Sequence, residues 1–206
     1  MPSSAFFWDK IANHYAEQPI ADEVSYQKKL KETQHLFTPE SRVLEFGCGT
    51  GSTAICHAPY VSHLHATDIS GNMLKIAKTK ADEARINSIT FEQGSLMDLN
   101  ISDAQWDVVL GMSILHLLTD WEAHVAKVYS LLKPGGVFVS STACISDMNS
   151  WFKFVAPLFR LLPLLPNVQV FSQQALVQSM VKAGFTIEKE WLPGPDKAAF
   201  IIARKP

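Results

Sequence analysis

The chain alternates short apolar, β-branched runs with longer stretches in which apolar residues recur every three or four positions. RVLEF, HLHATD, ITFEQG, WDVVLG and GVFVSST have the length and composition of strands. Between them, SGNMLKIAKTKADEARI and DWEAHVAKVYSLLK read as helices. Such alternation predicts right-handed crossovers and a parallel sheet covered on both faces. The end of the chain differs. FTIEKEWL and KAAFIIARKP are joined by PGPD, which leaves no room for a crossover helix, so the two runs are expected to pair antiparallel as a hairpin closing one edge.

Two helices precede the first strand in this reading. Phe6, Phe7, Trp8, Ile11 and Tyr15 keep helical spacing until Pro19 interrupts them. Tyr26, Leu30, Thr33 and Phe37 then form one stripe opposite a charged face. Residues 151–171, WFKFVAPLFRLLPLLPNVQVF, contain Pro157, Pro163 and Pro166 and cannot form one straight helix. Bent helices are expected there, either packed on the sheet or closing as a lid over an apolar pocket. The whole, 1–206, reads as a single domain: an N-terminal helical cap (1–38), a ligand-binding core (39–145), a helical lid insertion (146–175), and a C-terminal helix with the hairpin (176–206).

Composition narrows the function more than the fold. At 206 residues and 47% hydrophobic content the chain can bury one full core. Its net charge of -2 supplies no electrostatic excess for nucleic acid or an anionic membrane. Cys48, Cys56 and Cys144 form no CxxC pair and are odd in number, which fits buried thiols in a reducing compartment. MPSSAFFWDK lacks the basic-then-apolar order of a secretory signal, and no later segment gives the roughly 18 uncharged apolar residues in a row that a membrane span needs. A cytoplasmic protein is expected.

The chemistry concentrates in VLEFGCGTGSTAI, residues 43–55. Gly47, Gly49 and Gly51 follow a strand directly, and a helix can start near Ser52 or Thr53. Three glycines allow positive φ and close approach of a ligand, where a simple tight turn needs one. Dinucleotides and S-adenosylmethionine (SAM) are both bound after such runs, so the loop alone leaves hydride and methyl transfer open. The dinucleotide fingerprint is matched only as GxGxG, with Ser52 in its last place. Glu45, two residues earlier, would repel a pyrophosphate and attract the ammonium and sulfonium of SAM. Asp68, nineteen residues after Gly49, can accept from the ribose hydroxyls of either ligand, and Ile69 and Met73 can pack on adenine.

Together these segments resemble the class I SAM-dependent methyltransferases of small-molecule type, the methyltransferase 11 and 12 groups. VLEFGCGTGSTAI is similar to the first motif of that family, ATDISGNMLKIAK to its ribose segment and FEQGSLMDL to its adenine segment. WDVVLGMSILHLL and LLKPGGVFVSS are similar to its fourth- and fifth-strand motifs, all in family order across about residues 40–142. The resemblance implies a Rossmann-like three-layer α/β sandwich whose seven-stranded sheet is mostly parallel, with an antiparallel last strand. It also implies SAM as cofactor, Gly47 and Gly49 at the methionine moiety, Asp68 on the ribose, and Ser95 and Leu96 at the adenine edge. Glu45, Cys48, Ile69, Met73 and Gly111 complete the expected cofactor-binding set. Where the family often has GDA, this chain has Gly94, Ser95 and Leu96, so Ser95 or Asp98 must serve the adenine amino group.

The fourth strand runs into GMSI, with neither the NPPY-type tetrapeptide of amide and amino methylation nor an acid to hold magnesium; no Pro-Cys pair for attack on cytosine is present. The expected reaction is metal-free methyl transfer to a small, partly apolar acceptor. His116, six residues past Leu110, is the candidate base, with packing inside LHLL as the alternative. Tyr15, with His14 beside it, is the candidate cap over the methyl-donor end, while Trp8 and Tyr26 suit the core equally well. His63 and His65 have strand spacing for a metal but no evident third ligand. Two other functions stand against this reading: a SAM-binding module without turnover, and an NAD(P)-dependent oxidoreductase, which GxGxG, Glu45 and the hairpin oppose.

Overall fold

The computed structural model describes residues 4–148 and 168–206. Its strands are β1 (Arg42–Phe46), β2 (His63–Asp68), β3 (Ile89–Gln93), β4 (Trp106–Met112), β5 (Leu132–Thr142), β6 (Thr186–Trp191) and β7 (Ala199–Arg204). They form one sheet in the order β3-β2-β1-β4-β5-β7-β6. Only β7 runs against the rest, paired antiparallel to both β5 and β6, as the hairpin signal predicts. β5 starts earlier than GVFVSST suggests, because Leu132 already pairs with Trp106. The order reverses between β1 and β4, and this switch point opens a crevice at the carboxyl ends of the strands.

Six helices are described: α1 (Ser4–Glu17), α2 (Glu23–Gln34), α3 (Ser52–His57), α4 (Gly71–Glu83), α5 (Trp121–Leu131) and α6 (Gln173–Ala183). Their starts follow side-chain capping: Asp22 accepts from Ser25 N, Ser70 from Met73 N and Ser172 from Ala175 N, each at 3.1 Å. α6 stops at Gly184, whose φ of 108° a β-carbon would resist.

Period-two alternation divides the core. Leu44 and Phe46 face α5 and α6, where Val125, Val128, Leu176 and Met180 are buried. Val43 faces the other way, toward Ala54 of α3 and Leu74 of α4. The same alternation sends Glu45 to that second face, so a carboxylate takes a core position. Cys48 and Cys144 are buried as expected; Cys56 is not, since it lies on the outer side of the short α3. Most of the expected lid, 149–167, lies outside the described residues. On its described flank Phe171 is buried, its ring centred 4.4 Å from that of Trp121. Among the described residues, no helix is long and apolar enough to cross a membrane.

Candidate active site at the switch point

A cavity of about 730 Å³ occupies the crevice, within the roughly 300–1,000 Å³ usual for small-molecule sites. The glycine loop forms one wall. All three glycines are left-handed, with φ of 66°, 55° and 74°. They do different work. A β-carbon on Gly51 would lie 2.7 Å from Ala77 Cβ, so this glycine lets α4 pack close; one on Gly49 would meet nothing within 4 Å and would extend into open space at the cavity wall.

Glu45 lies under the loop, 2% exposed, and its Oε2 has no hydrogen-bond partner among the described residues. Burial, reinforced by the charge of Asp68, pushes its carboxyl up to about 8. Asp68 closes the end of β2. Its Oδ2 accepts from Gly49 N at 2.8 Å and its Oδ1 from Ser70 N at 2.9 Å, so it braces the loop against the start of α4. Burial raises its pKa, while these two backbone bonds pull it down.

Ile69, Met73, Ser95 and Leu96 line the cavity together with Gly47, Cys48 and Gly49. Ser95 does and Asp98 does not; Ser95 Oγ donates to Asp98 Oδ2 at 2.6 Å. Gly111 stands apart from the expected cofactor set. It faces the core, where a β-carbon would meet Phe46 Cζ at 2.8 Å, and the wall starts one residue later at Met112. Its glycine serves strand packing.

The N-terminal segment covers this end of the crevice. Asp9 fastens α1 to the start of α4, accepting from Ser70 Oγ at 2.6 Å and from Asn72 N at 3.0 Å. Trp8 and Tyr15, in edge contact at 6.2 Å, thereby reach the wall. Tyr15 feels the charge of Asp68, which adds to burial in raising its pKa, and this places it by the β2 acid. His14 is exposed and bonded to Gln18 at 2.9 Å. Tyr26 also lines the cavity rather than the core, with its hydroxyl 3.3 Å from Thr53 Oγ1.

His116 is not in the wall. It sits in a single 3-10 turn, Leu115–Leu117, whose neighbours Ile114, Leu117 and Leu118 reach the cavity while it does not. Burial pushes its imidazole down to about 4, and Nδ1 is without a partner among the described residues. The packing alternative describes it, and the candidate base is withdrawn. His65 Nε2 lies 2.8 Å from Glu92 Oε2, and no three His, Cys, Asp or Glu side chains gather around a metal position among the described residues.

Among the lining residues that the sequence motifs do not point to are Lys29, Ser141 and His124. His124 donates from Nδ1 to the Asp120 carbonyl at 2.9 Å. A histidine and a lysine among helical charges carry no local sign of facing inward.

Strand order, glycine loop and switch-point cavity define a Rossmann-like methyltransferase fold. Residues 43–136 match the methyltransferase domain family. The chain is similar there, over a little under half of its length, to the class I SAM-dependent methyltransferases. It is 30% identical over 142 residues to the demethylmenaquinone methyltransferase of Leptospira interrogans, covering 66% of this chain and 57% of that one. Thus it spans less than two thirds of that relative's length. It is 31% identical over 100 residues to the uncharacterized methyltransferase YcgJ of Bacillus subtilis, 48% of this chain and 40% of that one. The YcgJ crystal structure superposes with a TM-score of 0.72 at 20% identity, over 87% of this chain and 98% of that one. A SAM-dependent methyltransferase from Mesorhizobium loti gives 0.72 at 19% identity, over 89% and 99%.

Proposed function

We propose that this chain transfers a methyl group from SAM to a small, partly apolar acceptor. Glu45 carries the reading: a buried carboxylate with an unpartnered oxygen at the cavity wall suits a cationic ligand and opposes a pyrophosphate. The other walls fit the rest of SAM. Gly49 leaves room for close approach, and Asp68 keeps lone pairs for ribose hydroxyls beyond the two it uses on the loop. Ile69, Met73 and Leu96 offer apolar surface to a purine, with Ser95 at its edge. The names of two similar proteins, the Leptospira enzyme above and a geranyl diphosphate C-methyltransferase of Streptomyces coelicolor, support a small-molecule acceptor.

SAM supplies, when bound, a methyl group already activated on sulfur for in-line displacement. The task left to the chain is alignment and exclusion of water, which α1 and α2 serve by covering the crevice. β4 ends at Met112 and runs on into Ser113 and Ile114, so no carboxylate is offered there to a magnesium ion, and acceptor contacts fall to side chains of the chain itself.

Calorimetry tests this. SAM and S-adenosylhomocysteine are expected to bind and NADH is not; binding of NADH without SAM would overturn the reading. Asp68→Ala should weaken SAM roughly 10- to 100-fold, the loss expected for hydrogen bonds to a charged group; an unchanged affinity would reduce Asp68 to a loop brace. Label passing from SAM to a metabolite in cell extract separates turnover from binding alone. His116→Gln should keep the pH–rate profile, against the roughly 100-fold or greater loss that follows removal of a general base.

A further inference from the structure

α2 carries a lysine to the end of the cavity away from the glycine loop. Lys29 is 9% exposed and lies on the α2 face that also holds Tyr26, Leu30 and Thr33. Two contacts fix this helix over the sheet edge: Lys28 Nζ sits 3.9 Å from the Trp191 ring centre, and Lys189 pairs with Glu32 at 2.7 Å. Lys29 Nζ donates to Ser141 Oγ at 2.8 Å and, at 3.5 Å, to the Ala198 carbonyl. No carboxylate among the described residues pairs with it. Asp22 and Lys197, the charges it feels, pair with each other at 3.2 Å and largely cancel. A buried ammonium is ordinarily paired. Here one N–H is left over, at the wall of a cavity.

Ser141 Oγ accepts from Lys29, so its own proton is available to donate, and no acceptor for it is present among the described residues. Two donors 2.8 Å apart, one of them cationic, can meet on a single oxygen, and they favour one that bears negative charge. Their place in the sheet decides which molecule supplies it. Ser141 pairs with Met112 of β4, and β4 separates it from β1, so about 10 Å of sheet lies between Ser141 and Glu45. A cofactor with its cationic end at Glu45 leaves the Lys29 end to a second molecule. Met112, Leu118 and Met148, which line the same cavity, offer that molecule apolar surface.

We propose that Lys29 and Ser141 recognise the methyl acceptor through an acidic hydroxyl, a phenol or enol held as its oxyanion, with the apolar remainder against Met112 and Leu118. This rests on the methyl-transfer reading above. Burial holds the Lys29 pKa below its ordinary value, and an anion in contact acts the other way, favouring the charged form.

The test uses 4-nitrophenol as probe and protein saturated with S-adenosylhomocysteine, with phenolate absorbance followed below the phenol's own pKa. Bound nitrophenol is expected to ionise more readily, with the phenolate favoured on the order of tenfold. Lys29→Met and Ser141→Ala should each abolish this preference and leave S-adenosylhomocysteine affinity unchanged. No phenolate gain with the wild-type protein overturns the proposal, as does a gain that survives in both variants. If Lys29→Met instead weakens S-adenosylhomocysteine, the lysine holds the cofactor's own carboxylate and the proposal also falls. Failure of the wild-type protein to bind S-adenosylhomocysteine at all marks the separate failure of the methyl-transfer reading, on which this inference depends.

Discussion

Glu45→Gln is expected to weaken SAM binding roughly 30- to 4,000-fold, because losing one partner of a buried charged contact costs about 2–5 kcal/mol. The same substitution acts oppositely on the ligand-free protein. With its carboxyl raised from 4.5 to about 8, folded Glu45 keeps a proton that the unfolded chain has released. Stability therefore falls as pH rises through this window, by up to about 1.4 kcal/mol per pH unit, and levels off above it. Glutamine removes that slope, so the variant should be the more stable protein at pH 8 and lose this advantage near pH 5. Denaturant titrations at the two pH values check the sign. A cationic ligand favours the ionised carboxylate, so SAM binding at pH 7 should release a proton, which calorimetry in buffers of different ionisation enthalpy detects. Tight SAM binding by the variant would remove the central support for the proposed function.

Gly51→Ala should be the most damaging single methyl in the loop. The left-handed backbone, φ 74°, costs a residue with a β-carbon about 1–2 kcal/mol. The added carbon would also meet Ala77 Cβ at 2.7 Å, an atom that no rotamer change can move. A combined loss of about 2–4 kcal/mol corresponds to a melting temperature lower by about 5–15 °C in a chain of this length. Gly49→Ala shares the backbone penalty and meets nothing within 4 Å, so it should unfold closer to wild type yet bind SAM poorly. Thermal melts with and without SAM separate the two effects. Equal melting temperatures for the two variants would show that the α3–α4 contact carries little of the stability.

Much of this site is local in origin, and that is why VLEFGCGTGSTAI discloses it. A strand followed by three glycines needs no knowledge of distant residues to predict a left-handed binding loop, and Glu45 is two positions away. Gly111 and His116 are different. Whether a strand glycine faces ligand or core depends on Phe46 of the neighbouring strand, and whether a histidine after β4 reaches the crevice depends on how a 3-10 turn orients it. Neither contact partner is near in sequence. Lys29 is subtler: positions 26, 29, 30 and 33 share a helical face, but the apolar stripe of Tyr26, Leu30, Thr33 and Phe37 carries no sign that a lysine beside it is buried.

Hydrophobic period, turn chemistry and motif order thus determine the seven strands, the antiparallel final strand and the glycine loop of the cavity wall, because each signal acts within a few residues. The Lys29 end of the cavity comes from α2, β5 and the loop before β7, with Lys29 and Ser141 separated by 112 positions. Their meeting depends on strand order and on the docking of α2 against β6. Folding decides that, since only the assembled sheet places those distant elements on one wall.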